Sequence, residues 1–457
     1  MPRGTHSVEK LVSAEILLNS GHLTPSNSLF LLSADFAEMP KFPRKGVFQQ
    51  NRPGADIQKK VFPRPGNGSN LQCGYLPKYL NQWFILPNHA LNFRTGLEVA
   101  QTGLNGRHHR QDESELKISD LPSPKEVSGI TPDNFKSEVV DHHVPVVMRG
   151  IGREWNIVKA AQNSPEAVVD YLNRFESGRT AQLAVSPHAE GGRLFYNEGL
   201  DGINFTWEKS TIAAGLRRIL ERNAQVGDPN FAFQSVPVAE LLPGLEREVS
   251  SPFLPPTIPA TIWIGSQVVV PTHFDEASNL LFVSSGRRRF TLFPPAQVGN
   301  LYVGRLDFTP AGQPVSLVDL RAPDLDRFPR FAKAMEAALS VELEPGDAIH
   351  IPSPWWHHIE SLDRLNILIN YFWSHVRISS AAPFTCLVHA IQALRHLPPG
   401  ERDAWKAFMD HYVFETNGDP VEHLAGFDAG ILGPKNPALS EHIHKYLLDR
   451  MQRAGSS

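Results

Sequence analysis

The sequence predicts a mainly β fold, an antiparallel sandwich or barrel with helices before and after it. Three observations predict it. From Pro259 to Phe372, short runs rich in β-branched and aromatic residues recur between Gly and Pro punctuation, the texture of antiparallel β architectures rather than of βαβ units. Amphipathic helical patterns are largely confined to the flanks of that region. The 457 residues are 41% hydrophobic and 20% charged, which excludes collagen-like, coiled-coil and wholly disordered chains.

In chain order, residues 1–112 read as an irregular basic N-terminal extension. They mix short apolar patches with Pro/Gly/Asn segments such as Phe62-Pro63-Arg64-Pro65-Gly66-Asn67-Gly68 and hold no sustained period. Residues 1–110 carry 13 Lys+Arg against 6 Asp+Glu, and the remainder carries 31 against 42, so a basic leader precedes an acidic body. Its charges are scattered rather than blocked, which argues for a loosely ordered extension and against a nucleic-acid arm. Glu9 and Glu15 interrupt what would be the apolar core of a secretory signal.

Residues 113–258 form the N-terminal part of the globular domain. Thr131 to Phe135 resembles a capped helix start, Val144 to Met148 a short buried strand, and Ser164 to Phe175 an amphipathic helix with Ser164 as its cap. Residues 259–378 are the β core, with strands expected at Thr261–Val270, Asn279–Val283, Arg289–Phe293, Val341–Leu343, Ala348–Ile351 and Asn366–Phe372. Ala296 to Ser340 interrupts it as a long insertion with a helical piece near Phe331–Leu339. Residues 379–457 turn helical, at Phe384–Leu397, Glu401–Phe414 and Ser440–Ala454; these helices would either make a homodimer or cover the sheet.

Two cysteines, Cys73 and Cys386, cannot build a disulfide framework or a Cys-based zinc site. They fit a reducing compartment and a cytoplasmic location. No apolar run approaches the roughly 20 residues of a spanning helix, so no membrane is expected as a partner. Any metal must be held by nitrogen and oxygen.

The pair best suited to that is His273 and Asp275, in Pro271-Thr272-His273-Phe274-Asp275 at the end of a β-patterned run. Residues two apart on a strand project from one face, so one imidazole and one carboxylate would point together. Such a tripeptide alone is a weak signal. A third donor comes from Pro345-Gly346-Asp347, a turn signal, followed by a strand and a second turn that delivers His357 beside Trp355 and Trp356, 84 residues after His273. Two His and one carboxylate with an open face form the facial triad of non-haem Fe(II) oxygenases. His358 competes with His357 for the third place.

The segments His273-Phe274-Asp275-Glu276-Ala277-Ser278-Asn279, Gly286-Arg287-Arg288-Arg289-Phe290-Thr291-Leu292-Phe293-Pro294-Pro295 and Pro345-Gly346-Asp347 through Trp355-Trp356-His357-His358-Ile359-Glu360-Ser361 together resemble the cupin-like JmjC hydroxylases, especially their asparaginyl-hydroxylase branch. The similarity spans roughly Pro259 to Trp373 and extends weakly back to about Ile118. It implies a double-stranded β-helix, the cupin or jelly-roll fold, holding Fe(II) through His273, Asp275 and His357 with 2-oxoglutarate as cosubstrate. Placing the ligand directly after the two tryptophans favours His357 over His358. The resemblance also implies Arg288, where the family relative has Lys, as the partner of the far carboxylate of 2-oxoglutarate, and Asn279 and Asn370 as amides lining the cosubstrate pocket. Arg suits that task because its planar fork binds carboxylates bidentately. Val270 stands where the relative has a hydroxyl-bearing Thr, and no Tyr occurs around Phe231 to Gln234, where the family commonly has one.

The implied activity is an Fe(II)- and 2-oxoglutarate-dependent dioxygenase that hydroxylates a protein side chain or a small molecule and releases succinate and CO2. The alternative is a cupin-fold metal-binding or regulatory protein without 2-oxoglutarate turnover. Arg287 and Arg289 face opposite to Arg288 on a strand, so they belong outside the barrel and give no sign of nucleic acid. His442 and His444, two apart on a helix, diverge by about 200° and cannot clasp one ion. His142-His143 and His108-His109 read as structural or solvated. The chain has no nucleophile elbow, no phosphate loop and no full dinucleotide fingerprint.

Overall fold

Strands alternate their side chains between two faces, and this period sorts the residues of two stacked sheets into an interior and two outer layers. A computed structural model describes residues 117–374, 382–434 and 436–454; the predicted irregular extension 1–112, with Cys73 and His108-His109, lies outside them. The elements run β1 (Lys125–Val127), β2 (Val146–Met148), α1 (Asn156–Asn163), α2 (Pro165–Asn173), β3 (Thr180–Ser186), β4 (Thr206–Thr211), α3 (Ile212–Glu221), β5 (Asn230–Pro237), α4 (Val238–Leu241), α5 (Leu245–Glu248), β6 (Ala260–Gly265), β7 (Val269–His273), β8 (Ser278–Ser285) and β9 (Arg288–Phe293). Then come α6 (Phe331–Glu336), β10 (Leu339–Leu343), β11 (Ala348–Ile351), β12 (Trp356–Ser361), β13 (Asn366–Trp373), α7 (Pro383–Leu394), α8 (Pro399–Tyr412) and α9 (Pro437–Ala454).

A nine-stranded sheet has the order β1-β2-β11-β8-β13-β6-β5-β3-β4, and a four-stranded sheet the order β10-β9-β12-β7. Every pairing except β1 with β2 is antiparallel. This is a jelly roll: the antiparallel sandwich expected from the strand texture, in the form that the family resemblance implies. Between the sheets lie Val147, Leu281, Val283, Phe290, Leu292, Val341, Leu343, Ile349, Ile351, Ile359 and Leu368. The alternate residues of the large sheet, among them Leu280, Phe282, Ile262, Ile264, Ile367 and Ile369, face a second core built with α1, α2 and α3. At about 25 cal/mol per Å² of buried apolar surface, these layers are what hold the interior polar groups in place.

The predicted helix cap at Ser164 is present, its hydroxyl accepting from Ala167 N at 3.1 Å. At Thr131–Phe135 the helix start is a turn, with Asn134 Oδ1 accepting from Thr131 N at 2.7 Å, followed by a π-helical turn at Lys136–Val140. The Pro345-Gly346-Asp347 turn forms with Gly346 at φ +100°, a conformation that Gly adopts without penalty. There Asp347 accepts from Gly150 N and Arg149 Nη1, both at 2.8 Å.

One strand needs correction. The single strand over Thr261–Val270 is two strands in different sheets, because the chain turns at Ser266, whose carbonyl accepts from Val268 N at 2.9 Å and whose hydroxyl accepts from Phe231 N at 3.0 Å. The second turn is present at Ser353–Pro354, closed by Trp355 N donating to the Pro352 carbonyl at 2.9 Å, and it delivers His357 on strand β12, paired with both β9 and β7. The three C-terminal helices lie within three residues of where the sequence placed them, and α7 and α8 bury none of their residues.

Candidate metal centre and its relatives

His273 is the last residue of β7 and His357 its register partner on β12, so the ladder itself sets two imidazoles side by side, with ring centroids 4.2 Å apart. Asp275 was expected on the same strand. It lies in the bend between β7 and β8, yet its carboxylate Oδ2 stands 3.5 Å from His357 Nε2. One donor atom from each of His273, Asp275 and His357 lies within 4.8 Å of the others. The ligand bend is held from outside by Ser353 Oγ, which donates to the Asp275 carbonyl at 2.9 Å. Phe274 packs on Trp356 at 4.9 Å, and Glu276 Oε2 accepts from Phe384 N at 3.1 Å. Ser353 and Phe384 were not singled out in the sequence, because nothing local marks a contact made across 78 and 108 residues.

The imidazoles are set up as metal donors. His273 Nδ1 faces the Pro271 carbonyl at 2.8 Å and His357 Nδ1 the Trp355 carbonyl at 3.1 Å. A carbonyl only accepts, so Nδ1 carries the hydrogen in each ring and Nε2 keeps its lone pair. Burial, and then the neighbouring His357, push His273 down to about 4, so it is neutral at pH 7. Burial alone would raise Asp275, but contact with His357, the nearby His273 and the Asn279 amide together hold it below its ordinary value. Two imidazoles turned by their Nδ1 contacts to offer Nε2, with one carboxylate, suit a borderline divalent cation with an open coordination face.

His358 points the other way. It shares the outer face of β12 with Trp356, is 2% exposed, and neither ring nitrogen has a hydrogen-bond partner among the described residues; burial pushes it down to about 3. Alternation therefore resolves the choice of candidate in favour of His357.

Arg288 shares the inter-sheet face of β9 with Phe290 and Leu292. It is 4% exposed, and among the described residues no carboxylate or other group bonds it; its Nε has no partner. Burial alone pushes it down to about 9. Its neighbours behave as alternation predicts: Arg287 pairs with Asp363 at 3.0 Å and Glu342 at 2.9 Å, and Arg289 with Glu342 at 3.4 Å and Glu360 at 3.5 Å, all toward the surface. Asn279 and Asn370 also face the interior. Asn370 Nδ2 donates to Asn279 Oδ1 at 2.8 Å, and Asn279 Nδ2 donates to Asp275 Oδ2 at 3.3 Å. Val270 lines the same layer beside Ile359.

A jelly roll carrying an interior His/Asp/His cluster at one sheet's ladder defines a cupin-type protein. The chain belongs to the cupin-like domain family, of JmjC type, whose model matches residues 132–378, more than half of its length. Over 113 residues it is 40% identical to HSPB1-associated protein 1 of Homo sapiens, covering 24% of this chain and 22% of that protein. It is 24% identical over 267 residues to tRNA wybutosine-synthesizing protein 5 of Gallus gallus, covering 55% of this chain and 76% of that one. Over 112 residues it is 33% identical to Lysine-specific demethylase JMJ31 of Arabidopsis thaliana, 24% of this chain and 20% of the other. The matched stretch thus spans under a quarter of the length of HSPB1-associated protein 1. No described helix is long and apolar enough to cross a membrane.

Proposed function

We propose that the chain is an Fe(II)- and 2-oxoglutarate-dependent dioxygenase that hydroxylates a protein side chain or a small molecule. The observation that carries this reading is Arg288: a guanidinium buried between the sheets with no anionic partner among the described residues is costly unless an anion joins it. A dicarboxylate cosubstrate reaching from the His/Asp/His cluster would supply that anion. His273, Asp275 and His357 would hold the iron.

Bound Fe(II) and 2-oxoglutarate supply the oxidising chemistry, in which dioxygen is consumed, 2-oxoglutarate leaves as succinate and CO2, and one oxygen atom enters the substrate. The chain's own residues bind and shield. His273 and His357 would present Nε2 to the iron, because the Pro271 and Trp355 carbonyls hold their Nδ1 hydrogens. Arg288 would anchor the far carboxylate through its fork. The apolar walls of Val270, Leu281, Phe290 and Ile359 exclude water around that anchor and strengthen its electrostatics. Asn279 and Asn370 each have a second amide hydrogen that the bonds between them do not use, available to the cosubstrate.

The test is anaerobic ultraviolet-visible titration with Fe(II) and 2-oxoglutarate, with His357→Ala alongside. A charge-transfer band in the wild type alone is expected. Bound iron without a band would move the reading to a metal-binding protein without oxoacid turnover. Bulk tRNA that stimulated succinate release would overturn the protein or small-molecule substrate class.

A further inference from the structure

Four interior side chains on three neighbouring strands make a hydrogen-bond chain that ends on Asp275. On β6, Trp263 Nε1 donates to Asn370 Oδ1 at 2.8 Å, and the Thr261 hydroxyl donates to the same oxygen. Asn370 on β13 passes the bond to Asn279 on β8, and Asn279 passes it to the Asp275 carboxylate. The ladders set this geometry: Asn370 pairs with Thr261 on one side and Leu281 on the other, which makes Asn279 its diagonal neighbour on the same face. Thr261, Asn279 and Asn370 are each at most 3% exposed, so water does not compete for these bonds.

The chemistry of the two ends fixes the middle. An indole N–H only donates, an ionised carboxylate only accepts, and a carboxamide donates at one end and accepts at the other. Two carboxamides between a donor-only and an acceptor-only group have one self-consistent orientation. Rotating either by a half turn sets N–H against N–H or oxygen against oxygen. Thr261 can donate or accept, so it reinforces a polarity that Trp263 dictates.

We propose that Trp263, Asn370 and Asn279 are positioning residues for Asp275, a directional relay that keeps its Oδ2 engaged and its carboxylate turned toward His273 and His357. The proposal rests on the metal reading above. It reaches metal affinity through Asp275, and none of the three needs to touch the ion. Trp263→Phe keeps a ring but removes the obligatory donor, leaving Thr261 to hold Asn370. With Thr261→Val added, Asn370 is free to reverse, and a reversed Asn279 turns its own carbonyl oxygen on Asp275.

The experiment is anaerobic titration of the full chain with Mn(II), reading free Mn(II) by electron paramagnetic resonance, together with thermal melts of the metal-free proteins. The double variant Trp263→Phe/Thr261→Val is expected to bind Mn(II) about 10-fold more weakly, as for other partners of metal ligands. Its loss should be at least as large as that of either single variant, since it removes both donors to Asn370 Oδ1. Asn279→Ala, which removes the last link at the edge of the site, should lose at least as much and serves if the double variant folds poorly. Lowered melting temperatures with Mn(II) affinity unchanged in all variants would overturn the relay while leaving the metal reading intact. Wild-type Mn(II) binding that is absent, or indifferent to His357→Ala, would overturn the metal reading and the relay with it.

Discussion

Arg288 gives the sharpest quantitative expectation. Burial alone holds its guanidinium well below the ordinary arginine range, at about 9. At 1.36 kcal/mol per pH unit, the apo fold disfavours that charge by about 5 kcal/mol. Arg288→Met keeps length and removes the charge. The metal-free, ligand-free protein should therefore become more stable by a few kcal/mol, as when uncompensated buried ions are replaced by apolar side chains. On the proposed reading the same substitution would remove the partner of the far carboxylate, and losing one member of a buried ion pair costs about 3–5 kcal/mol, which corresponds to roughly 100- to 5,000-fold in the 2-oxoglutarate requirement. The assay is a pair of thermal melts, without ligand and with Mn(II) plus 2-oxoglutarate under anaerobic conditions, beside a titration of succinate formation. The wild type should gain stability from 2-oxoglutarate by linkage, and Arg288→Met should start higher and gain almost nothing. A variant that melts lower without ligand and keeps its 2-oxoglutarate response would refute both the anion assignment and the energetic reasoning behind it.

Three further outcomes are expected. His273→Ala and Asp275→Ala should each abolish 2-oxoglutarate turnover while leaving the far-ultraviolet circular dichroism of the protein unchanged; full succinate formation in either would remove that residue from the ligand set. Val270→Thr restores a hydroxyl on the half-buried wall beside Ile359 and should lower the half-saturating 2-oxoglutarate concentration by about 2- to 10-fold, the worth of one hydrogen bond; a rise would mean that position 270 does not face the cosubstrate. On α8, Trp405, Phe408 and Tyr412 fall on one face at helical spacing and are 45–56% exposed, so the homodimer expected through the C-terminal helices should be lost in Phe408→Asp, read by light scattering across a concentration series. A monomeric wild type would exclude that partner.

The β core was legible because alternation and Gly/Pro punctuation are local signals. β8, β9, β11 and β13 fall within two residues of their expected bounds. The expected ligand set was legible for a different reason: the ladder that pairs His273 with His357 brings together two motifs that each carried their own turn chemistry. The strands β3, β4 and β5 were not foreseen. Sequences such as Thr206-Trp207-Glu208-Lys209-Ser210-Thr211 show polar residues on a mostly exposed edge strand, where pairing with β3 rather than hydrophobic period decides the structure. Nor could the bend that carries Asp275 be told from a continued strand, since the carboxylate reaches His357 from either conformation in sequence terms.

Arg288 and the amide chain show how the interior divides its work between the two sheets. Among the described residues, the small sheet contributes His273, His357 and a cation with no anionic partner; the large sheet contributes neutral donors, passed from Trp263 to Asn279. A neutral relay can orient Asp275 without adding a charge that would compete with a bound metal or neutralise Arg288. If Asn279 were replaced by Asp, the second carboxylate would sit beside Asp275 in the same buried layer and raise the proton affinity of the pair. Polar yet uncharged side chains at 279 and 370 therefore hold Asp275 without competing with it for a proton.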